Sequence, residues 1–169
     1  IRQNAHRLGI DPKRVASGGG SAGGHVAAAT GTVSGLEEAG ENSSISSKPN
    51  ALVLFNPVYD NGPKGYGHER VKERFREISP IHNIRKGMPP AIVFLGDKDT
   101  LIPVSTAEKF KSLMEEVGSR SDRHVYEDQP HGFFNQGRKG NFYEKTVMEM
   151  DKFLSSLGWL KGKPTIQVP

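Results

Sequence analysis

Two uninterrupted apolar runs, ALVLFN (51–56) and AIVFLG (91–96), have the length of strands and are followed by segments of helical period. Successive side chains of a strand point to opposite faces, so a run that is apolar at every position suits a strand covered on both sides. RVAS (14–17) and RHVYED (123–128) read as two further strands. Helices are predicted to end at Leu8 and Gly9, to run from Ser21 to about Ser34 before Gly35, near 68–78, over 104–118 and over 143–158. A polar loop fills 36–50, and 57–90 reads as irregular apart from its one helix. Strand and helix alternate throughout, which predicts right-handed crossovers and the α/β class: about four parallel strands flanked by helices.

At 169 residues the chain has the length of a single domain and would bury roughly 70% of its extended surface. No apolar run approaches the roughly 20 residues of a membrane span. Cysteine is absent, which excludes disulfides, zinc–thiolate sites and a thiol nucleophile. The net charge is +4, but lysine and arginine are interleaved with glutamate, as in ERVKERFREI (69–78). That is a solvated helix face rather than a phosphate-tracking stripe, and no nucleic-acid partner is expected. The opening segment, IRQNAHRLGIDPKRV, reads as a helix running into a strand. The natural N-terminus is therefore expected to lie upstream, any signal peptide would be invisible, and the compartment stays open.

In a parallel sheet, chemistry gathers at the carboxyl ends of the strands. The loops there are GGGSAGGH, NPVYDNG, GDKDTLIP and DQPHGFFN. The first fits two motifs. As GxGxxG it is Gly18, Gly20 and Gly23, a turn whose amides would cradle a pyrophosphate. As GxSxG it is Gly19, Ser21 and Gly23, an elbow that lifts a serine hydroxyl clear of the sheet. A P-loop fails, because His25 and Val26 stand where lysine and a hydroxyl residue are required.

A dinucleotide site also needs an acidic residue at the end of the next strand, and that strand ends in Asn56 and Pro57. Glu37, Glu38 and Glu41 lie in the loop before it. A serine nucleophile needs a carboxylate and then a histidine, each in a later loop. Asp99 follows AIVFLG and His131 follows RHVYED, in that order. Asp97 is a rival for the acid, since either aspartate could cap the turn. His25, four residues after Ser21, is a rival for the base, but an elbow serine points away from its helix, so His25 reads as structural. His6, His68, His82 and His124 read as surface or loop residues. No histidine pair shows metal-ligand spacing. Asn42 opens a sequon, which in a serine-rich loop is expected by chance.

GGGSAGGH, SPIHNIRKGMPPAIVFLGDKDTLIPV and HGFFN together resemble the α/β-hydrolase family, in its esterase and lipase branch of hormone-sensitive-lipase-like and acetyl-esterase-like members. The resemblance spans 14 to about 155. It implies a Ser21, Asp99 and His131 triad that hydrolyses carboxylic esters, a small-molecule ester substrate and no cofactor. The DxxIP pattern of 99–103 resembles the family's acid loop and favours Asp99 over Asp97. Glycine at 19 and 23 would let backbone pass close to the elbow, and the Ala22 amide at a helix N-terminus would donate to the oxyanion. Without an enzymatic role, the chain would be a non-catalytic α/β module, either a degenerate hydrolase or a nucleotide binder.

The resemblance covers a C-terminal half only. A complete member has about four strands before the elbow and a glycine-rich HGGG-type loop supplying further oxyanion donors, and no such motif occurs here. Loss of one donor costs about 100- to 1,000-fold in turnover, so little activity is expected of this polypeptide alone. With its neighbours missing, the first strand is expected to expose an unpaired edge, and the chain to self-associate through it or through exchanged helices. The segment 57–90, with Tyr59, Tyr66 and Phe75, is expected to form a lid or part of an acyl or alcohol pocket.

Overall fold

A computed structural model describes residues 1–168. Its elements are α1 (Ala5–Leu8), β1 (Ala16–Gly20), α2 (Ala22–Thr32), β2 (Ala51–Phe55), α3 (His68–Val71), β3 (Ala91–Gly96), α4 (Val104–Glu116), β4 (Ser121–Tyr126) and α5 (Phe142–Ser156). The four strands form one parallel sheet in the order β1-β2-β3-β4.

The apolar runs alternate their side chains between two layers. Leu52, Leu54, Val93 and Leu95 pack with Ala27 and Ala28 of α2 and Ala107, Phe110 and Met114 of α4. Val53, Ile92 and Phe94 face the other way, onto Phe133 and onto Phe153 and Leu154 of α5. Side chains of this size each contribute about 1.5–3 kcal/mol when fully buried, which is why β2 and β3 form the centre. Alanine and glycine in α2 permit close approach: a Cβ on Gly31 would lie 3.1 Å from a Leu52 methyl.

Three elements differ from the sequence reading, the simplest being β4, which is Ser121–Tyr126 rather than 123–128. β1 is not RVAS at 14–17 but Ala16–Gly20, so Gly18, Gly19 and Gly20 are extended strand residues. The reason is close packing: a Cβ at Gly18 would sit 2.9 Å from the Val53 carbonyl oxygen, and one at Gly20 would sit 2.8 Å from the Phe134 ring. The helix expected over 68–78 stops at Val71. Lys72 then takes φ 46°, and the chain continues in a tighter 3-10 winding over Lys72–Glu77. This winding sets Phe75 edge-on to the rings of both His68 and His82.

Candidate active site

Ser21 follows β1 directly and occupies the N-cap position of α2. Serine there ordinarily caps its helix with its own oxygen, but here no side chain caps α2. The backbone explains it. Ser21 has φ 52° and ψ −117°, a combination that costs on the order of 1–3 kcal/mol in a residue with a Cβ. The turn is held by its hydrogen bonds: Ser21 N donates to the Phe55 carbonyl at 2.9 Å, and the Ser21 carbonyl accepts from His25 N at 3.0 Å and Val58 N at 3.3 Å.

Of the two glycines of the GxSxG pattern, Gly19 has the close backbone approach expected of it and Gly23 does not. A Cβ on Gly19 would lie 2.6 Å from the carbonyl carbon and oxygen of Gly23, and one on Gly24 would lie 2.8 Å from Pro57. Gly19 and Gly24 therefore permit the close passage of backbone. A Cβ on Gly23 would meet nothing within 4 Å, so what matters at position 23 is its backbone, against which Gly19 packs. Gly18 and Gly20 lie against Val53 and Phe134 rather than facing an open cradle.

Asp99 and His131 meet at the ends of β3 and β4. His131 Nδ1 lies 2.7 Å from Asp99 Oδ2, and the Asp99 side chain has no exposed surface. The other carboxylate oxygen accepts the amides of Leu101 at 2.8 Å and Ile102 at 2.9 Å. Burial of this charge is thus compensated by three donors. Asp97, the rival, is exposed. His25, the other rival, is engaged elsewhere, its Nε2 3.0 Å from the Ile78 carbonyl oxygen.

The His131 loop is anchored by aromatic residues. Phe133 is 2% exposed within the α5-side layer, and Phe134 packs on Phe55 with its ring tilted by 41° and ring centroids 4.8 Å apart while covering Gly20. His131 thereby lies beside Asn56, the residue after Phe55, whose carbonyl accepts from Ser21 N. Among the described residues no hydrogen bond joins Ser21 Oγ to the imidazole. The neighbour of His131 Nε2 is instead the Asn56 side-chain nitrogen, at 3.3 Å. Two residues that sequence reading missed stand out here: Asn56, at the end of β2, and Gly96, whose missing side chain admits the loop that carries His131. Neither belongs to a local motif.

A second serine, histidine and aspartate grouping lies in 57–90. Ser79 Oγ is 2.8 Å from His82 Nδ1, and Asp60 is 3.8 Å from the same nitrogen. Ser79 is completely buried. It donates its proton to the Tyr59 carbonyl at 3.1 Å and accepts from Asn61 N at 3.0 Å. This grouping fastens a loop; its hydroxyl has no access to a substrate. His82, read from sequence as a surface or loop residue, is in fact half-buried in it, and burial lowers its pKa despite the opposing field of Asp60.

Tyr59 and Tyr66 line a cleft of about 210 Å³ with Asp60, Leu101, Ile102 and Thr106. Phe75, from the same segment, is buried between the rings of His68 and His82. Among the described residues no helix is long and apolar enough to cross a membrane.

Comparison with known proteins follows the same outline. A structure of Thermogutta terrifontis esterase 2 phosphoramylated by tabun is 42% identical with a TM-score of 0.90, covering 96% of this chain and 62% of that one. The same esterase with propionate bound is 41% identical with a TM-score of 0.87, covering 97% of this chain and 63% of that one. An acetylxylan esterase of Xylanibacter ruminicola is 25% identical over 93% of this chain and 33% of its own length. The chain thus spans about a third of that relative and somewhat under two thirds of the solved esterase. Residues 3–156, which take in β1 to β4 and α1 to α5, match the prolyl oligopeptidase family, and the chain belongs to that family, within the esterase branch of the α/β-hydrolases.

Proposed function

We propose that the chain is the triad-bearing part of a serine esterase that cleaves carboxylic esters through an acyl-enzyme. Ser21 is the nucleophile, His131 the general base and acid, and Asp99 the group that orients the imidazole. The observation that carries this is the 2.7 Å contact between His131 Nδ1 and the solvent-excluded Asp99 carboxylate, at the carboxyl end of the sheet where Ser21 sits half-buried on its strained turn. A neutral serine is a poor nucleophile without such a base.

In this reading Ser21 Oγ attacks the ester carbonyl carbon while its proton passes to His131 Nε2. The carbonyl oxygen becomes an oxyanion, to which the Ala22 amide donates at the head of uncapped α2. Collapse of the intermediate breaks the bond to the alkoxide, which leaves with the proton from Nε2. Water then attacks the acyl carbon, gives its proton to Nε2 and releases the acid as the proton returns to Ser21. Asp99 stays ionised throughout and stabilises the imidazolium.

The family is named for oligopeptidases, but the solved neighbours at about 40% identity are esterases, which supports an ester over a peptide substrate. Propionate in one of them supports a small acyl group. Segment 57–90, with the Tyr59 and Tyr66 cleft beside the acid loop, is proposed as part of the pocket wall. Further oxyanion donors are proposed to come from outside these residues, since no HGGG-type stretch is present. Among the described residues β1 pairs with β2 alone, and its other edge is proposed as a self-association surface. Light scattering that showed monomers at every concentration would remove that element.

A fluorophosphonate probe tests the main reading. It should label Ser21, and Ser21→Ala or His131→Ala should abolish labelling. A folded, unlabelled chain that bound NAD would instead favour a non-catalytic nucleotide module using Gly18, Gly20 and Gly23.

A further inference from the structure

Asn56 stands between the loops that bear Ser21 and His131. It is 1% exposed, and its φ of 33° falls where asparagine is better tolerated than most residues. Its backbone amide donates to the Phe94 carbonyl at 2.7 Å, which continues the ladder from β2 to β3 by one step and fixes the position of the side chain.

Both ends of the carboxamide are engaged. Asn56 Oδ1 accepts from Gly132 N at 2.9 Å, and Nδ2 lies 3.3 Å from His131 Nε2. A backbone N–H can only donate, so Gly132 settles which end of the amide is oxygen and the NH2 end faces the imidazole. That NH2 also only donates, so Nε2 must present a lone pair. The ring proton then sits on Nδ1 and goes to Asp99 Oδ2. One neutral tautomer satisfies every partner, whereas the imidazolium would set N–H against N–H at Asn56.

We propose that Asn56 is a positioning residue for His131: its carboxamide selects the neutral tautomer with a free Nε2 lone pair and opposes lasting protonation there. This rests on the reading of His131 as the general base and deepens it. The contact is favourable while the ring waits to accept a proton from Ser21 and unfavourable once Nε2 carries it. Asn56 thereby favours passing the proton on to the leaving alkoxide. Asp99, from the loop after β3, is among the described residues the one charged group paired with His131, and it holds Nδ1, so a carboxylate at position 56 adds a second negative charge at the opposite ring nitrogen, Nε2.

The decisive variant is Asn56→Asp, which keeps the shape and the acceptor for Gly132 but turns the donor at Nε2 into an anion. The His131 ring, followed by imidazole NMR on the whole chain, should titrate at least about one unit higher than in the wild type, the lower end of what an adjacent opposite charge produces. The acid limb of fluorophosphonate labelling should move up with it. In Asn56→Ala, the fallback should the aspartate variant not fold, plateau labelling should fall about tenfold, the order of magnitude of a lost hydrogen bond. An unchanged His131 titration in Asn56→Asp, or wild-type labelling across pH in Asn56→Ala, overturns the proposal. If the wild type resists labelling while His131 still shifts in Asn56→Asp, the serine-nucleophile reading fails and the role of Asn56 stands.

Discussion

Gly96 and Gln129 pack so closely that a Cβ on the glycine would lie 2.5 Å from the Gln129 carbonyl carbon and closer still to its oxygen. The crossing is tied on both sides, with Lys98 N donating to the Gln129 carbonyl at 3.0 Å and Asp97 N to that of Tyr126 at 3.1 Å. It brings the loop after β4 against the loop after β3, and so places His131 beside Asp99. Gly96→Ala should destabilise the fold by about 3 kcal/mol, the upper end for overpacking, because the obstacle is backbone, and should also slow Ser21 labelling. Urea denaturation compared with the wild type measures the first effect. An equally stable variant with normal labelling would mean that the crossing does not set the pair.

The two glycines of the GxSxG pattern should behave oppositely. Gly19→Ala would drive a methyl into the Gly23 carbonyl, 2.6 Å away, at a cost of about 1–3 kcal/mol. Gly23→Ala adds a methyl to open space in the first turn of α2 and should be neutral or stabilising by up to about 1 kcal/mol. Thermal melting of both variants decides, and a destabilised Gly23→Ala would contradict the packing described for the turn.

Asp99→Asn tests tautomer control from the opposite side of the ring. The asparagine oxygen can still accept the Leu101 and Ile102 amides, but its NH2 would face Nδ1 and force the ring proton onto Nε2. Labelling of Ser21 should fall by roughly 10⁴-fold, the loss that follows the same change in a serine protease triad, while the circular dichroism spectrum stays the same. A loss smaller than tenfold would argue against His131 as the base.

His82 should make the fold acid-sensitive. Its Nδ1 is committed to Ser79, its Nε2 side lies against Gly62, and burial lowers its pKa. The unfolded chain takes up this proton near the ordinary value of about 6.5 and the folded chain only at lower pH, so protonation favours unfolding. Stability from this source is complete above the ordinary value and is lost as pH falls below it. His82→Gln should shrink the drop in melting temperature between about pH 7.5 and about pH 5.5. An equal drop in both proteins would count against it.

By itself the sequence determined the class of fold and the order of its chemistry. Ala51–Phe55 and Ala91–Gly96 are apolar at nearly every position, and period alone makes such runs central strands buried on both faces. Ser21, Asp99 and His131 each follow a strand, and a parallel sheet puts all such loops at one edge. What tertiary structure alone decided is which atoms stand opposite one another there. Gly18 and Gly20 belong to the strand because Val53 and Phe134 press on them, Gly96 is required by a carbonyl from the next loop, and Asn56 reaches a histidine from the far end of the sheet. His82 is half-buried against Asp60 and Ser79 rather than in solvent. Local sequence encodes periodicity and turn chemistry, which depend on near neighbours. Contact across strands depends on register and loop path, and those are set by the packing of the whole molecule.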